Sequence, residues 1–214
     1  MITGSKFYQA PPFCGAILIP EKWISKIKHL DELEHFNLFS KVFSKYDIPE
    51  RLRLKTNLSS EINKGGVCRW LVTIKSIYAL RSIGQENIQK VITNWNRFVN
   101  EELSKYDEFI LMPDQSKTNP TIISFQVKGK NGKLNHQQMR SLFFSMVEDD
   151  HTGLPTKRVF IGQPVAYGDK SFLRLAIGAN NIVNIHNRGG DTFEIEKRII
   201  AIIQQKLIEF ESNQ

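Results

Sequence analysis

The residues with the clearest chemical potential lie near the two ends of the chain. At the start, Thr3-Gly-Ser-Lys6-Phe-Tyr-Gln-Ala-Pro-Pro12 sets one lysine among small, hydroxyl and proline residues, directly before an apolar run. A lysine held in a tight, partly desolvated turn has its ammonium form disfavoured, and the free amine is a nucleophile. Gly4 and Ser5 leave room for a flat ligand against the backbone, and their N–H groups or hydroxyl suit a phosphate. The plain alternative is an exposed lysine in an ordinary N-terminal turn. Toward the other end, Ser171-Phe-Leu-Arg-Leu-Ala-Ile177 alternates, which sends Arg174 to the face opposite Leu173 and Leu175 and toward an open surface. An ion pair with a nearby acid such as Asp169 is the bland use of such an arginine. The lysines of Lys128-Gly-Lys-Asn-Gly-Lys133 are placed to touch phosphates, but a solvated strand-to-helix turn explains them as well.

Other chemistries lack their signatures. The five histidines form no HExxH motif and no pair at i,i+4, and Cys14 and Cys68 have no CxxC companion. Metal ligation and a disulfide framework are therefore not expected. No GxSxG elbow, GxGxxG fingerprint or Walker loop occurs. No segment interleaves aromatic and basic residues in the manner of RNA readers.

Composition bounds the setting for these residues. The 214 residues are 41% hydrophobic and 24% charged, which is ordinary globular usage and excludes wholesale disorder. No apolar run approaches the roughly 18 residues of a membrane span, and the first residues do not read as a signal peptide. A reduced, cytoplasmic protein is expected. The net charge is +7, and residues 1–105 hold 16 basic and 10 acidic side chains against 13 and 12 in the remainder. A basic half suits an anionic partner, although a merely solvated basic surface accounts for it too.

The elements that must position the candidates follow from pattern. Residues 13–19 read as a buried strand ended by Pro20, and residues 31–45 as an amphipathic helix with Leu33, Phe36, Phe39 and Phe43 in one stripe. A helix over 67–80 is expected to bury Trp70, Ile74, Ile77 and Leu80. Gly84 stops it, and a second helix runs over 85–103. After Tyr106 short apolar runs take over: 109–112, 121–127, 158–161 and 171–177 read as strands, with 121–127, 158–161 and 171–177 sharing one sheet. Helices are expected over 134–146 and 192–210. The expected organisation is a strand-bearing edge over 1–20, a helical connector over 21–105 and a small α+β domain over 106–214. Its short, largely antiparallel sheet is covered by helices.

Two stretches together resemble a known family. Thr3-Gly-Ser-Lys6-Phe, followed by Pro11-Pro-Phe-Cys-Gly15-Ala-Ile-Leu-Ile-Pro20, is similar to the segment around the Schiff-base lysine of fold-type I pyridoxal-phosphate (PLP) proteins, particularly the class V aminotransferase-like group. Arg158-Val-Phe-Ile-Gly162-Gln-Pro-Val165 and Phe172-Leu-Arg-Leu-Ala-Ile-Gly178-Ala resemble the C-terminal hairpin of that group. The resemblance implies Lys6 as the lysine that joins the cofactor and moves the Cα proton, with Ser5 and Thr3 beside the phosphate. It implies Arg174 as the anchor of the substrate carboxylate, a task that suits its planar fork, with Gln163 and Asn180 flanking it.

Such proteins carry a large domain upstream of the lysine, which supplies the ring-stacking aromatic, the acid paired with the ring nitrogen and much of the phosphate cup. The expected function is thus the C-terminal portion of a PLP-dependent transferase acting on an amino-acid-like substrate. It would be completed by an N-terminal partner chain or by homo-oligomerisation. A cysteine desulfurase is not expected, because no cysteine follows Cys68. The competing readings are a non-catalytic interaction module derived from the same fold and a basic nucleic-acid-binding protein. Nucleic acid is the less expected partner, and no membrane association is expected.

Overall fold

The computed structural model describes residues 2–3, 6–9, 15–16, 20, 22, 43–53, 57–112, 119–152, 154–155, 157, 159 and 161–212. The chain forms two compact units, residues 1–78 and 79–214. The division falls earlier than the change of pattern after Tyr106 suggested, so the helix over 85–103 goes with the sheet and not with the first unit.

In the first unit β1 (Ile2–Thr3) pairs antiparallel with β2 (Gly15–Ala16), setting Thr3 opposite Gly15. Most of the strand expected over 13–19 and of the helix expected over 31–45 lies outside the described residues. The end of that helix segment is instead a 3-10 turn, Lys45–Asp47. Ser44 caps it: its hydroxyl accepts from the Tyr46 N–H, and its own N–H donates to the Asp47 carboxylate at 2.7 Å. A single helical turn, Glu50–Arg53, follows. Helix α1, Lys64–Ser82, then begins at Asn63, whose side-chain oxygen accepts from the Gly66 N–H at 2.9 Å.

Gly84 takes φ +80°, a conformation that side chains with a Cβ adopt at a cost, and so breaks the chain between α1 and α2 (Gln85–Leu103). Helix α2 buries Val91, Ile92, Trp95, Val99 and Leu103, one face at helical spacing. Then come β3 (Phe109–Leu111), β4 (Ile122–Gly129), β5 (Gly132–Lys133), α3 (His136–Glu148), β6 (Gly162–Tyr167), β7 (Lys170–Ala176), α4 (Ala179–Asn187) and α5 (Glu194–Ser212). Asn135 starts α3 through a reciprocal cap: its side chain accepts from Gln138 N–H at 2.9 Å while Gln138 accepts from Asn135 N–H at 3.0 Å.

The sheet runs in the order β3-β4-β7-β6, with β5 hairpinned on β4, and every pairing is antiparallel. Helices α2 and α3 pack on it, α5 packs on both of them, and α4 lies against α2. This is an α+β fold. Opposed residues share a face, and Ile123 with Leu175 and Phe125 with Leu173 are buried pairs. His136, at the start of α3, reaches Ser171 Oγ on that same face at 3.2 Å.

One expected strand is misplaced. The described residues of 158–161 are not in the sheet, and the strand beside β7 is Gly162–Tyr167. Val159 is nevertheless buried.

Candidate functional site

Arg174 sits in the middle of β7, one of the two central strands, and alternation sets it opposite Leu173 and Leu175 as the sequence suggested. Its neighbours on that face are Ser124 of β4 on one side and Gly162 of β6 on the other. Leu173 and Leu175 are buried, whereas Arg174 is half-buried.

Gly162 decides where the guanidinium goes. A Cβ at this position would lie 3.0 Å from Arg174 Cβ, 3.2 Å from its carbonyl oxygen and 3.4 Å from its Nε. The bare glycine backbone therefore leaves the groove along which the arginine side chain lies over β6. Between Gly162 and Val165, β6 advances three residues while β7 advances two, from Arg174 to Phe172. The extra residue is a bulge, which bends the strand and redirects its carbonyls. Arg174 Nη2 donates to the Gln163 carbonyl at 3.1 Å. Arg174 Nε is buried and has no hydrogen-bond partner among the described residues.

One arm of the guanidinium is thus fixed to a backbone carbonyl, while Nε is covered and unspent. Arg174 and Gln163 meet through the Gln163 backbone carbonyl, and the Gln163 side chain is exposed. Asn180 is exposed, on the first turn of α4. The bland partner is not used: among the described residues Arg174 holds the Gln163 carbonyl and forms no ion pair with Asp169.

The N-terminal candidates belong to the other unit. Lys6 is exposed in a bend closed by Gln9 N–H donating to the Lys6 carbonyl at 3.0 Å, with Gln9 at φ +54°. The partly desolvated setting expected from the small residues around it is not found at Lys6. Thr3 lies in β1, and Ser5 is outside the described residues. Phe7 and Tyr8, whose ring centroids are 5.3 Å apart, follow the lysine.

The second unit also carries two cavities among its described residues. A cleft of about 260 Å³ lies between the β4–β5 hairpin and the end of α5, where the Glu211 carboxylate accepts from Lys130 N–H at 2.5 Å. The basic hairpin thus already holds a carboxylate from its own chain. A smaller cavity of about 40 Å³ is lined by Arg140, Phe143, Phe144, Gln163 and Pro164. Among the described residues no group of three or more His, Cys, Asp or Glu could hold a metal ion, and no helix is long and apolar enough to cross a membrane.

Sequence reasoning missed the part played by Gly162. Its signal was a glycine next to the sole arginine of the facing strand, legible only once the strand was placed at 162–167. No family model, curated protein or solved structure matches the chain.

Proposed function

We propose that this chain is the C-terminal portion of a PLP-dependent, aminotransferase-like protein acting on an amino-acid-type carboxylate substrate. The observation that carries the reading is Arg174, held over Gly162 with one arm on the Gln163 carbonyl and its buried Nε unspent. A substrate carboxylate would meet the outer, terminal nitrogens of the half-buried guanidinium, since Nε is covered, and a bidentate arrangement there would also fix its orientation.

The described residues do not by themselves fit the cofactor. Lys6 offers an amine, but it is exposed, and a cofactor needs a stacking surface, a partner for its ring nitrogen and a phosphate cradle. In this reading those walls come from an N-terminal cofactor domain on a partner chain or a second copy, with Thr3 and Ser5 beside the phosphate.

The test is a titration followed at the Arg174 Nε–H resonance by ¹⁵N NMR, comparing an amino acid with an amine that lacks the carboxylate. A saturable shift caused by the carboxylate alone, and not shared by the Nε–H resonances of the other arginines, supports the reading. A response no larger than that to chloride at matched ionic strength sinks it.

A further inference from the structure

We propose that the outward face of α1 is a docking seam for an acidic amphipathic helix of a partner protein. Val67, Leu71, Ile74 and Tyr78 recur at spacings of four, three and four, the pattern of a coiled-coil seam. They are 47, 60, 42 and 68% exposed. The same helix turns Thr73 and Ser76 inward, at 0 and 6% exposure, with the Thr73 hydroxyl donating to the Arg69 carbonyl at 3.0 Å. Hydroxyl side chains are buried and aliphatic ones bared. A helix whose apolar face serves only its own core shows the reverse.

Charge identifies the occupant. From Lys64 to Ser82 the helix carries lysines and arginines and no acid. Lys64 and Lys75 are exposed, and at 100° per residue both fall on the same flank of the seam, next to Leu71. A second copy pairing through this seam, in either direction, would set bases beside bases with nothing to answer them. A helix with glutamate or aspartate flanking its own apolar seam meets those bases with opposite charge. Val72, 45% exposed, lies about 100° round the helix from Leu71 and outside this seam. The seam lies wholly in the first unit and does not depend on the cofactor reading.

The experiment uses the full chain and a labelled three-heptad peptide with leucine at both seam positions and glutamate on the flanks, followed by fluorescence anisotropy. A matched peptide with lysine on the flanks is the control. Saturable binding of the acidic peptide, at least tenfold tighter than the basic one, is expected. Leu71→Asp, or Ile74→Asp if the first variant loses its circular-dichroism signal, should weaken it tenfold or more. Lys64→Glu with Lys75→Glu should reverse the peptide preference. Equal binding of both peptides, or binding indifferent to Leu71→Asp and Ile74→Asp, overturns the proposal. So does self-association in sedimentation that Leu71→Asp abolishes, or capture by phosphatidylserine vesicles with no binding of the acidic peptide.

Discussion

Gly162→Ala is the sharpest test of how Arg174 is placed. The new Cβ would come within 3.0 Å of Arg174 Cβ and 3.2 Å of its carbonyl oxygen. Neither atom can leave by a side-chain rotation, since both are fixed by the β7 backbone. Only the third close atom, Nε at 3.4 Å, belongs to the mobile end. Strand β6 must therefore move away from β7 by a few tenths of an ångström. Overpacking of this kind costs about 1–3 kcal/mol. Against it stands the loss of unfolded-state freedom when glycine becomes alanine, which stabilises by about 0.4–1 kcal/mol because the φ of Gly162 is not in the left-handed region. The net expectation is a destabilisation of about 1–2 kcal/mol, read as a shift in urea midpoint with an unchanged slope. In the Arg174→Ala background most of the penalty should persist, because Cβ and the carbonyl oxygen remain. The Nη2 bond to Gln163 should also loosen, seen as faster exchange of the Arg174 guanidinium protons. A neutral or stabilising Gly162→Ala would refute the claim that this glycine shapes the groove.

Leu173→Ala, at a fully buried position beside Arg174, should cost about 2–5 kcal/mol by thermal unfolding, whereas Arg174→Ala on the opposite face should cost less than half as much. Burial, more than any other influence, holds the Glu196 carboxyl above its usual range, opposed by its own backbone, by Trp95 and by Arg188. A carboxyl raised in the folded state costs stability while ionised, and this cost disappears as pH falls through the raised value. Glu196→Gln should therefore stabilise at neutral pH and lose that advantage on acidification, as chemical denaturation across the window will show. The isolated chain should bind PLP weakly and without fixed stoichiometry, and Lys6→Ala should not alter the absorbance titration, because the exposed lysine has no enclosing site among the described residues. Tight one-to-one binding abolished by Lys6→Ala would show that the chain builds a cofactor site unaided.

Where local signals agreed, the sequence was legible. Helix α2 occupies the expected 85–103 because its apolar spacing, the preceding Gly84 and a single buried face all point the same way. Helix α3 runs over His136–Glu148, close to the expected 134–146, because apolar spacing and the Asn135 cap found in the structure agree on its start. Strand β6 was hidden because Gly162, Gln163 and Pro164 are poor strand formers, while the adjoining apolar Val159-Phe-Ile161 outweighed them. Helix α4 went unread because Ala179–Asn187 is short and rich in asparagine. The buried face of α1 was misjudged for a different reason. Its apolar residues surround most of the helix, so spacing could not say which side faces inward, and Leu80 is buried while Ile74 is not. Of the candidate site, alternation placed Arg174 correctly, but the bulge that turns the Gln163 carbonyl toward it left no trace in residue types.

The bulge and Pro164 have a consequence beyond the aim of one arginine. Strand β6 is an outer strand of the described sheet, and an outer strand normally offers its backbone amides as a template on which another chain can add. Pro164 has no amide hydrogen to offer, and the irregular stretch beside it breaks the even spacing that an incoming strand would need to match. The opposite margin is the three-residue β3. Neither margin gives a newly made or partly unfolded copy a long regular ladder to extend. This sheet is thereby protected from strand-by-strand extension at either margin.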